Sequence, residues 1–171
     1  SHQDYRQQDN ASALLNAHEA YMSKEYPKAL NWLNRCHLNI MSPAMHVQHN
    51  ILKQKALIEQ NNVLMRQAAQ ETQNDMPFEA LSLLEHCDLR VMLEPTKTIY
   101  DGHKHVLLEK INIKINALIQ DATHDVSTRG NYSRAFDAIK RCNPDLMSTQ
   151  TRDAFYSLQA RCLLHFRQPQ Q

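Results

Sequence analysis

The sequence predicts an all-α protein, an α-solenoid of about three elongated helical units with long connecting helices. An internal repeat predicts it, because segments 26–36, 77–87 and 132–142 each carry Ala, then Leu or Ile four residues later and Cys seven residues later. A Met follows each Cys after five residues. Composition agrees, since the chain has only two glycines and many residues of high helix propensity. Helical units that cannot bury an apolar stripe alone bury it by stacking.

The N-terminal helix is predicted from capping residues and apolar spacing. Residues 1–9 are polar, and we expect a disordered tail there. Asn10 or Ser12 can cap a helix. Its apolar positions recur every three or four residues: Leu14, Ala17, Ala20 and Tyr21. Pro27 suits the first turn of a second, short helix over 27–36.

A long helix is predicted over 43–75, with Ser42 as its N-cap and Pro43 at its first position. No Gly or Pro interrupts this segment, so one continuous helix is favoured over two helices broken at Asn61-Asn62. One stripe at helical spacing runs along it: Val47, Ile51, Ile58, Met65 and Thr72.

A short helix over 77–87 and a second long helix over 95–128 follow. The stripe of the long helix comprises Leu108, Ile111, Ile115, Leu118 and Ala122. We expect Val106 and Ile113, on its opposite face, to be packed as well, because inner helices of an array are covered on both sides.

A short helix is predicted over 132–142. Ser148 is then the predicted N-cap of a last helix that reaches residue 166. Gly130 supplies the positive-φ turn that ends the long helix before them. No composition shift divides the chain, so residues 10–166 are predicted to form a single helical-repeat domain. Residues 167–171 are predicted to be a C-terminal tail.

Four cysteines occur, and three of them occupy the same position of successive repeats. Equivalent positions of a stacked array lie about one repeat apart, beyond the ~7 Å Cα separation that a disulfide spans. We therefore expect Cys36, Cys87, Cys142 and Cys162 to be free and buried. Free thiols favour a reducing compartment such as the cytoplasm.

Charge and hydropathy exclude several classes of protein. The net charge is +1 and no long run of like charge occurs, so we expect no nucleic-acid partner. A mildly basic helical patch is interpreted as a solvated face: His46, His49, Lys53 and Lys55. No apolar run approaches the ~20 residues that span a bilayer, so we expect no direct membrane insertion. The polar ends of the chain indicate a fragment of a larger protein.

The sequence offers few patterns typical of catalysis or metal binding. The pairs His46/His49 and His103/His105 are close in sequence, but a zinc site needs three or four converging ligands. We expect exposed histidines and no metal. The sequence has no glycine-rich phosphate loop and no nucleophile elbow, so we expect no cofactor and no enzyme. An enzyme or metal protein stays open as an alternative that requires a deep pocket with converging polar groups.

The run Gly130-Asn-Tyr132-Ser-Arg-Ala135, with Ala29 and Ala80 at the matching positions of the other copies, resembles the tetratricopeptide (TPR) repeat. The alanines lie 51 and 55 residues apart, whereas that family repeats at about 34 residues. The resemblance implies a scaffold or adaptor that binds a protein partner or peptide segment. In such arrays the first helix of each unit lines the concave side, which implies seven candidate contacts: His18, Tyr21, Met22, Thr72, Gln73, Gln120 and His124.

A second resemblance rests on three stretches of sequence: Ala29 to Leu33, the Leu-Asn-Ile-Met-Ser-Pro run after it, and the C-terminal segment from Ala154 to Ala160. Residues 9–60 and 130–169 resemble the helical N-terminal domain of gammaproteobacterial outer-membrane lipoproteins that activate penicillin-binding proteins (the LpoA type). This resemblance implies the alternative function, a periplasmic regulator of peptidoglycan synthesis. A lipobox upstream and an α/β domain downstream would then be expected.

Overall fold

The computed structural model describes residues 2–168, with side chains from residue 5 onward. Within this part of the chain no strand occurs, so the predicted all-α class is confirmed. Its α-helices are α1 (His2–Met22), α2 (Tyr26–Asn34), α3 (Pro43–Gln73), α4 (Pro77–Glu85), α5 (Thr96–Arg129), α6 (Tyr132–Ile139) and α7 (Thr149–Arg167). Three 3₁₀ helices follow the short α-helices: Leu38–Ile40, Leu89–Val91 and Pro144–Leu146. None of the described helices combines the length and apolar character that crossing a bilayer demands.

Long and short helices alternate, and each short helix packs against the long helices before and after it. Thus α2 contacts α1 and α3, α4 contacts α3 and α5, and α6 contacts α5 and α7. Ala29, Ala80 and Ala135 are all buried at these crossings, where small side chains permit close helix approach. A large aliphatic residue four positions later is also fully buried in each copy: Leu33, Leu84 and Ile139. Each such burial contributes about 1.5–3 kcal/mol.

Several helix ends follow from the predicted capping residues. Ser42 Oγ accepts a hydrogen bond from the Met45 N–H at the start of α3, and Ser148 Oγ accepts one from the Thr151 N–H at the start of α7. Gly130 ends α5 with φ 62°, in the left-handed region that glycine adopts without a Cβ clash.

Three predicted boundaries are corrected. The segment 1–9 is helical from His2 onward, so α1 begins before the predicted caps. The short helices end two or three residues earlier than predicted, because the chain tightens into i→i−3 bonds such as Cys36 N–H to Leu33 O and Cys142 N–H to Ile139 O. Arg167 is the last residue of α7 rather than part of a tail, and Ser1 and residues 169–171 lie outside the described residues.

The stripe predicted along α3 faces solvent over its first half, where Val47, Ile51 and Ile58 are all exposed. The buried face of α3 is instead a neighbouring stripe: His49, Ala56, Asn61, Leu64 and Ala68. Hydropathy alone misses that face because two of its members are polar. Val106 and Ile113 are likewise exposed rather than packed, since α5 is covered by its neighbours on one side.

Two buried asparagines hold the turns that follow the first two short helices. Asn10 Oδ1 accepts a hydrogen bond from the His37 N–H at 2.6 Å, and its Nδ2 donates to the His37 carbonyl at 3.1 Å. Asn61 makes the same pair of bonds with the Asp88 main chain, both at 2.8 Å. Each pair spans 27 residues. Asn10 is therefore not an N-cap, and Asn61 does not break α3, which is continuous as predicted.

A second contact also recurs, between a buried ring and a short-helix carbonyl sixteen residues earlier. His49 Nε2 lies 3.1 Å from the Leu33 carbonyl oxygen, and the Tyr100 hydroxyl donates to the Leu84 carbonyl at 3.4 Å. Phe155 stands at the matching position of α7 and is buried, although a phenyl ring has no donor. The three rings thus stand at equivalent positions, sixteen residues after Leu33, Leu84 and Ile139, and the first two also form a hydrogen bond there.

All four cysteines are free, as predicted. Cys36, Cys87 and Cys142 are half-buried rather than buried, because each lies just past the end of its short helix, whereas Cys162 is buried. Burial raises the pKa of each of the four thiols. The folded protein therefore holds less of the reactive thiolate than its unfolded chain does at a given pH.

The asparagine clamp can be tested by substitution. Asn61→Ala leaves the N–H and C=O of Asp88 without their partners and is expected to lower the free energy of unfolding by about 2–4 kcal/mol. Asn62→Ala, at the neighbouring half-buried position, is the matched control and is expected to change it by less than ~0.5 kcal/mol. Urea denaturation followed by circular dichroism measures both. Equal effects of the two substitutions would contradict the clamp.

The thiols can be compared by alkylation in native buffer and in denaturant, with mass spectrometry to locate the label. We expect Cys36, Cys87 and Cys142 to react at similar, reduced rates, because their surroundings are alike. Cys162 is expected to react slowest, since it is fully buried. One repeat cysteine that reacts as fast as in the unfolded chain would show that the three surroundings differ.

Candidate binding groove

A groove of about 590 Å³ lies between α1 and the first half of α3. We call it the α1–α3 groove. Its lining is mainly aliphatic and aromatic, with a few polar side chains: Ala11, Leu14, Leu15, His18, Tyr21, Met45, Gln48, Ile51, Leu52 and Lys55. Both walls show spacings of three and four residues, so each wall is one face of one helix.

The floor and the rims of the groove differ in exposure. Leu14 is buried and Leu52 is half-buried, so they form the floor. Leu15 on α1 is 60% exposed and Ile51 on α3 is 50% exposed, so both rims present aliphatic side chains to solvent. Tyr21 packs its ring against that of Tyr26 with centroids 5.7 Å apart, which holds it at one end of the lining.

The polar groups of the groove are few and of one sign. Lys55 supplies a permanent positive charge, and His18 and Gln48 add hydrogen-bonding groups. No carboxylate occurs among the ten lining residues. The groove can therefore accept apolar side chains on its floor and rims, and a negative or hydrogen-bonding group beside Lys55.

The seven candidate contacts taken from the TPR resemblance lie on α1, α3 and α5. His18 and Tyr21 line the α1–α3 groove. Met22 and Gln73 are exposed at the last residues of α1 and α3. Thr72 is half-buried beside Gln73 on α3, and Gln120 and His124 lie on α5.

The junctions between later long helices differ from the α1–α3 groove. Between α3 and α5, His103 Nε2 lies 2.9 Å from Thr72 Oγ1, whose hydroxyl also donates to the Ala68 carbonyl at 2.8 Å. The imidazole is therefore the donor to Thr72. Between α5 and α7, a cleft of about 360 Å³ is lined largely by amides and hydroxyls, among them Asn112, Gln120 and Gln150.

The paired histidines do not converge. His46 Nε2 lies 2.8 Å from the Leu38 carbonyl, whereas His49 is buried against the Leu33 carbonyl. The expectation that these histidines are exposed is wrong for His49, because its ring replaces an apolar core residue and bonds to main chain. His103 is half-buried and bonds to Thr72, while exposed His105 lies 3.1 Å from Glu109. Across the described residues, no three side chains of ligand type gather as a metal ion requires.

Comparison with known proteins adds no relative: no protein-family model, curated protein or solved structure matches the chain. The TPR and lipoprotein resemblances both stay predictions. The groove's geometry is accordingly the basis for any functional conclusion.

Sequence reasoning missed the exposed rims of the groove. Leu15 received no role, although its spacing from Ala11 and His18 places it on one helix face. Ile51 was assigned to an apolar stripe and Lys55 to a basic patch, and the structure brings both to the same groove wall. The available signal was that α3 carries two stripes at helical spacing, one apolar and one partly polar. Hydropathy does not tell which of the two faces the core.

Half-buried His103, at the α3–α5 junction, predicts a pH effect. Burial lowers the pKa of His103 below its usual value of about 6.5. The unfolded chain then binds a proton at this histidine more readily than the folded protein does. The stability that depends on neutral His103 is therefore fully present above pH 6.5 and is lost as the pH falls through the lowered pKa. We expect His103→Gln, which keeps a donor but does not titrate, to lose less stability than wild type between pH 7.5 and pH 5.

Urea midpoints at the two pH values measure this difference. His124→Gln, which replaces an exposed histidine of the same helix, is the control and should keep the wild-type loss. The prediction fails if His103→Gln and wild type lose stability equally on acidification.

Proposed function

We propose that this chain is a non-enzymatic protein–protein interaction domain, a TPR-like α-solenoid of about three elongated units that binds a protein segment in the α1–α3 groove. The observation that carries the proposal is the pair of exposed aliphatic rims, Leu15 and Ile51, on either side of an apolar floor. Apolar surface of this kind, edged by polar groups, is typical of protein-binding sites.

The repeat part of the proposal is supported by contacts that recur with the sequence repeat. The asparagine clamps join Asn10 to His37 and Asn61 to Asp88, at one sequence separation. The ring contacts join His49 to Leu33 and Tyr100 to Leu84, again at one separation. Contacts between equivalent residues are expected when successive units fold alike.

A binding role rather than a chemical one is supported by the groove's side chains. Its ten lining residues include one lysine, one histidine and one tyrosine, set among mainly apolar residues and without a cysteine, serine, threonine or carboxylate to act with them. General acid–base and nucleophilic catalysis both require paired groups within hydrogen-bond reach. Two helices that flank an apolar trough instead match a common mode of peptide recognition.

The proposal is tested by selecting a displayed library of random 16-residue peptides against the folded protein. Enriched peptides are then measured by fluorescence anisotropy against Leu15→Glu and Ile51→Glu, which place a charge on the rims without touching the buried core. We expect each substitution to weaken binding at least tenfold, because a carboxylate must be desolvated against apolar side chains.

Two exposed positions outside the groove are the matched controls. Leu164→Glu replaces a leucine that is 62% exposed on α7, and Ile99→Glu replaces an isoleucine that is 61% exposed on α5. Neither should change the affinity by more than about twofold. Enriched peptides whose affinity is the same for the rim and control variants would overturn the groove as the binding site.

A further inference from the structure

Given that proposed function, we infer that the segment bound in the α1–α3 groove is an amphipathic α-helix of about three turns, with a carboxylate on the edge that meets Lys55. The length, the lining chemistry and the charge of the groove each bear on this identity.

The walls of the groove match a short helix in length. The lining residues run from Ala11 to Tyr21 on α1 and from Met45 to Lys55 on α3, eleven residues and therefore ten rises along each helix. At a rise of 1.5 Å per residue, each wall is about 15 Å long. A helix of about ten residues covers that distance, and so does an extended segment of about five residues.

The chemistry of the walls separates these two possibilities. An extended segment exposes its N–H and C=O groups along its whole length, and each needs a partner when it is buried. The walls are helices, whose main-chain groups are already bonded internally, and few of their side chains are polar. A helix satisfies its own main chain and needs only apolar contact, so it fits these walls where a strand does not.

The positions of the rims also suit a third helix. Leu15 and Ile51 project from neighbouring helices on either side of the floor formed by Leu14 and Leu52. A ridge of side chains at spacings of three and four residues packs into such a trough. The bound helix should therefore present large apolar residues at positions i, i+3 or i+4, and i+7.

Charge determines the polar edge of the bound helix. Lys55 stands on the lining and no carboxylate of the groove neutralises it. A carboxylate on the bound helix pairs with this ammonium group, whereas a basic residue there is repelled. Because the pair is open to solvent, its effect is a few-fold in affinity and decreases with salt.

The other two junctions between long helices do not offer a comparable groove. The α3–α5 junction is bridged by the His103–Thr72 hydrogen bond, and the α5–α7 cleft is lined by amides and hydroxyls. A smaller cleft of about 130 Å³ beside the α3–α5 junction, lined in part by Ile58 and Leu93, is too short for a helix of three turns. One helix per chain is therefore the expected stoichiometry.

The peptide selection described above tests this identity through the enriched sequences and their variants. We expect apolar residues at i, i+3 or i+4 and i+7, at least one Asp or Glu, and one peptide bound per protein by titration calorimetry. A central proline in the best peptide should weaken binding more than tenfold, because it breaks the helix. An alanine at the same position should not.

The charge is tested by a swap. Exchanging the peptide's acidic residue for Lys should weaken binding to wild type about fivefold, and Lys55→Glu should reverse that preference. Lys110→Glu, at an exposed lysine on α5, is the matched control and should keep the wild-type preference.

The outcomes separate the inference from the proposed function. Groove-dependent peptides that tolerate the central proline would overturn the helix, and a preference unchanged by Lys55→Glu would overturn the carboxylate; in both cases the proposed function stands. Binding that ignores Leu15→Glu and Ile51→Glu overturns the proposed function itself.

Discussion

Each short helix of this protein is held in place by the two long helices that enclose it. Helices of eight or nine residues are unstable alone, because nucleation costs more than so few hydrogen bonds return. Ala29, Ala80 and Ala135 let the long helices close on them, and a buried Leu or Ile fills the space behind. The length of α3 and α5 follows from this constraint, since each must reach the short helix before it and the one after it.

The elements that could be predicted were those with a local cause. The start of α3 at Pro43, the turn at Gly130 and the continuity of α3 all rest on residues whose effect is confined to one or two turns of chain. The 3₁₀ helices and the early ends of the short helices could not be predicted, because no glycine or proline stands where the chain switches to i→i−3 bonds after Asn34, Glu85 and Ile139. The Asn61–Asp88 clamp joins residues 27 apart, and no local pattern indicates it.

The candidate site was predictable only in part, for a related physical reason. His18 and Tyr21 were found from a resemblance, and both line the groove. Ile51 belongs to a predicted apolar stripe and Lys55 to a predicted basic patch. Whether both line one groove depends on the rotation of α3 about its own axis, which decides the face that it turns toward α1. Buried His49 and Asn61 decide that rotation, through bonds that their polar side chains make with distant main chain.

The unlike junctions between the long helices have a consequence for valency. A connector that joins two partners needs two sites, yet among the clefts of the described residues only the α1–α3 groove is both large and mainly apolar. One copy of this chain would then bind one partner helix at a time. Any clustering or avidity would have to come from several copies held together, where tethering raises the local concentration without a new contact.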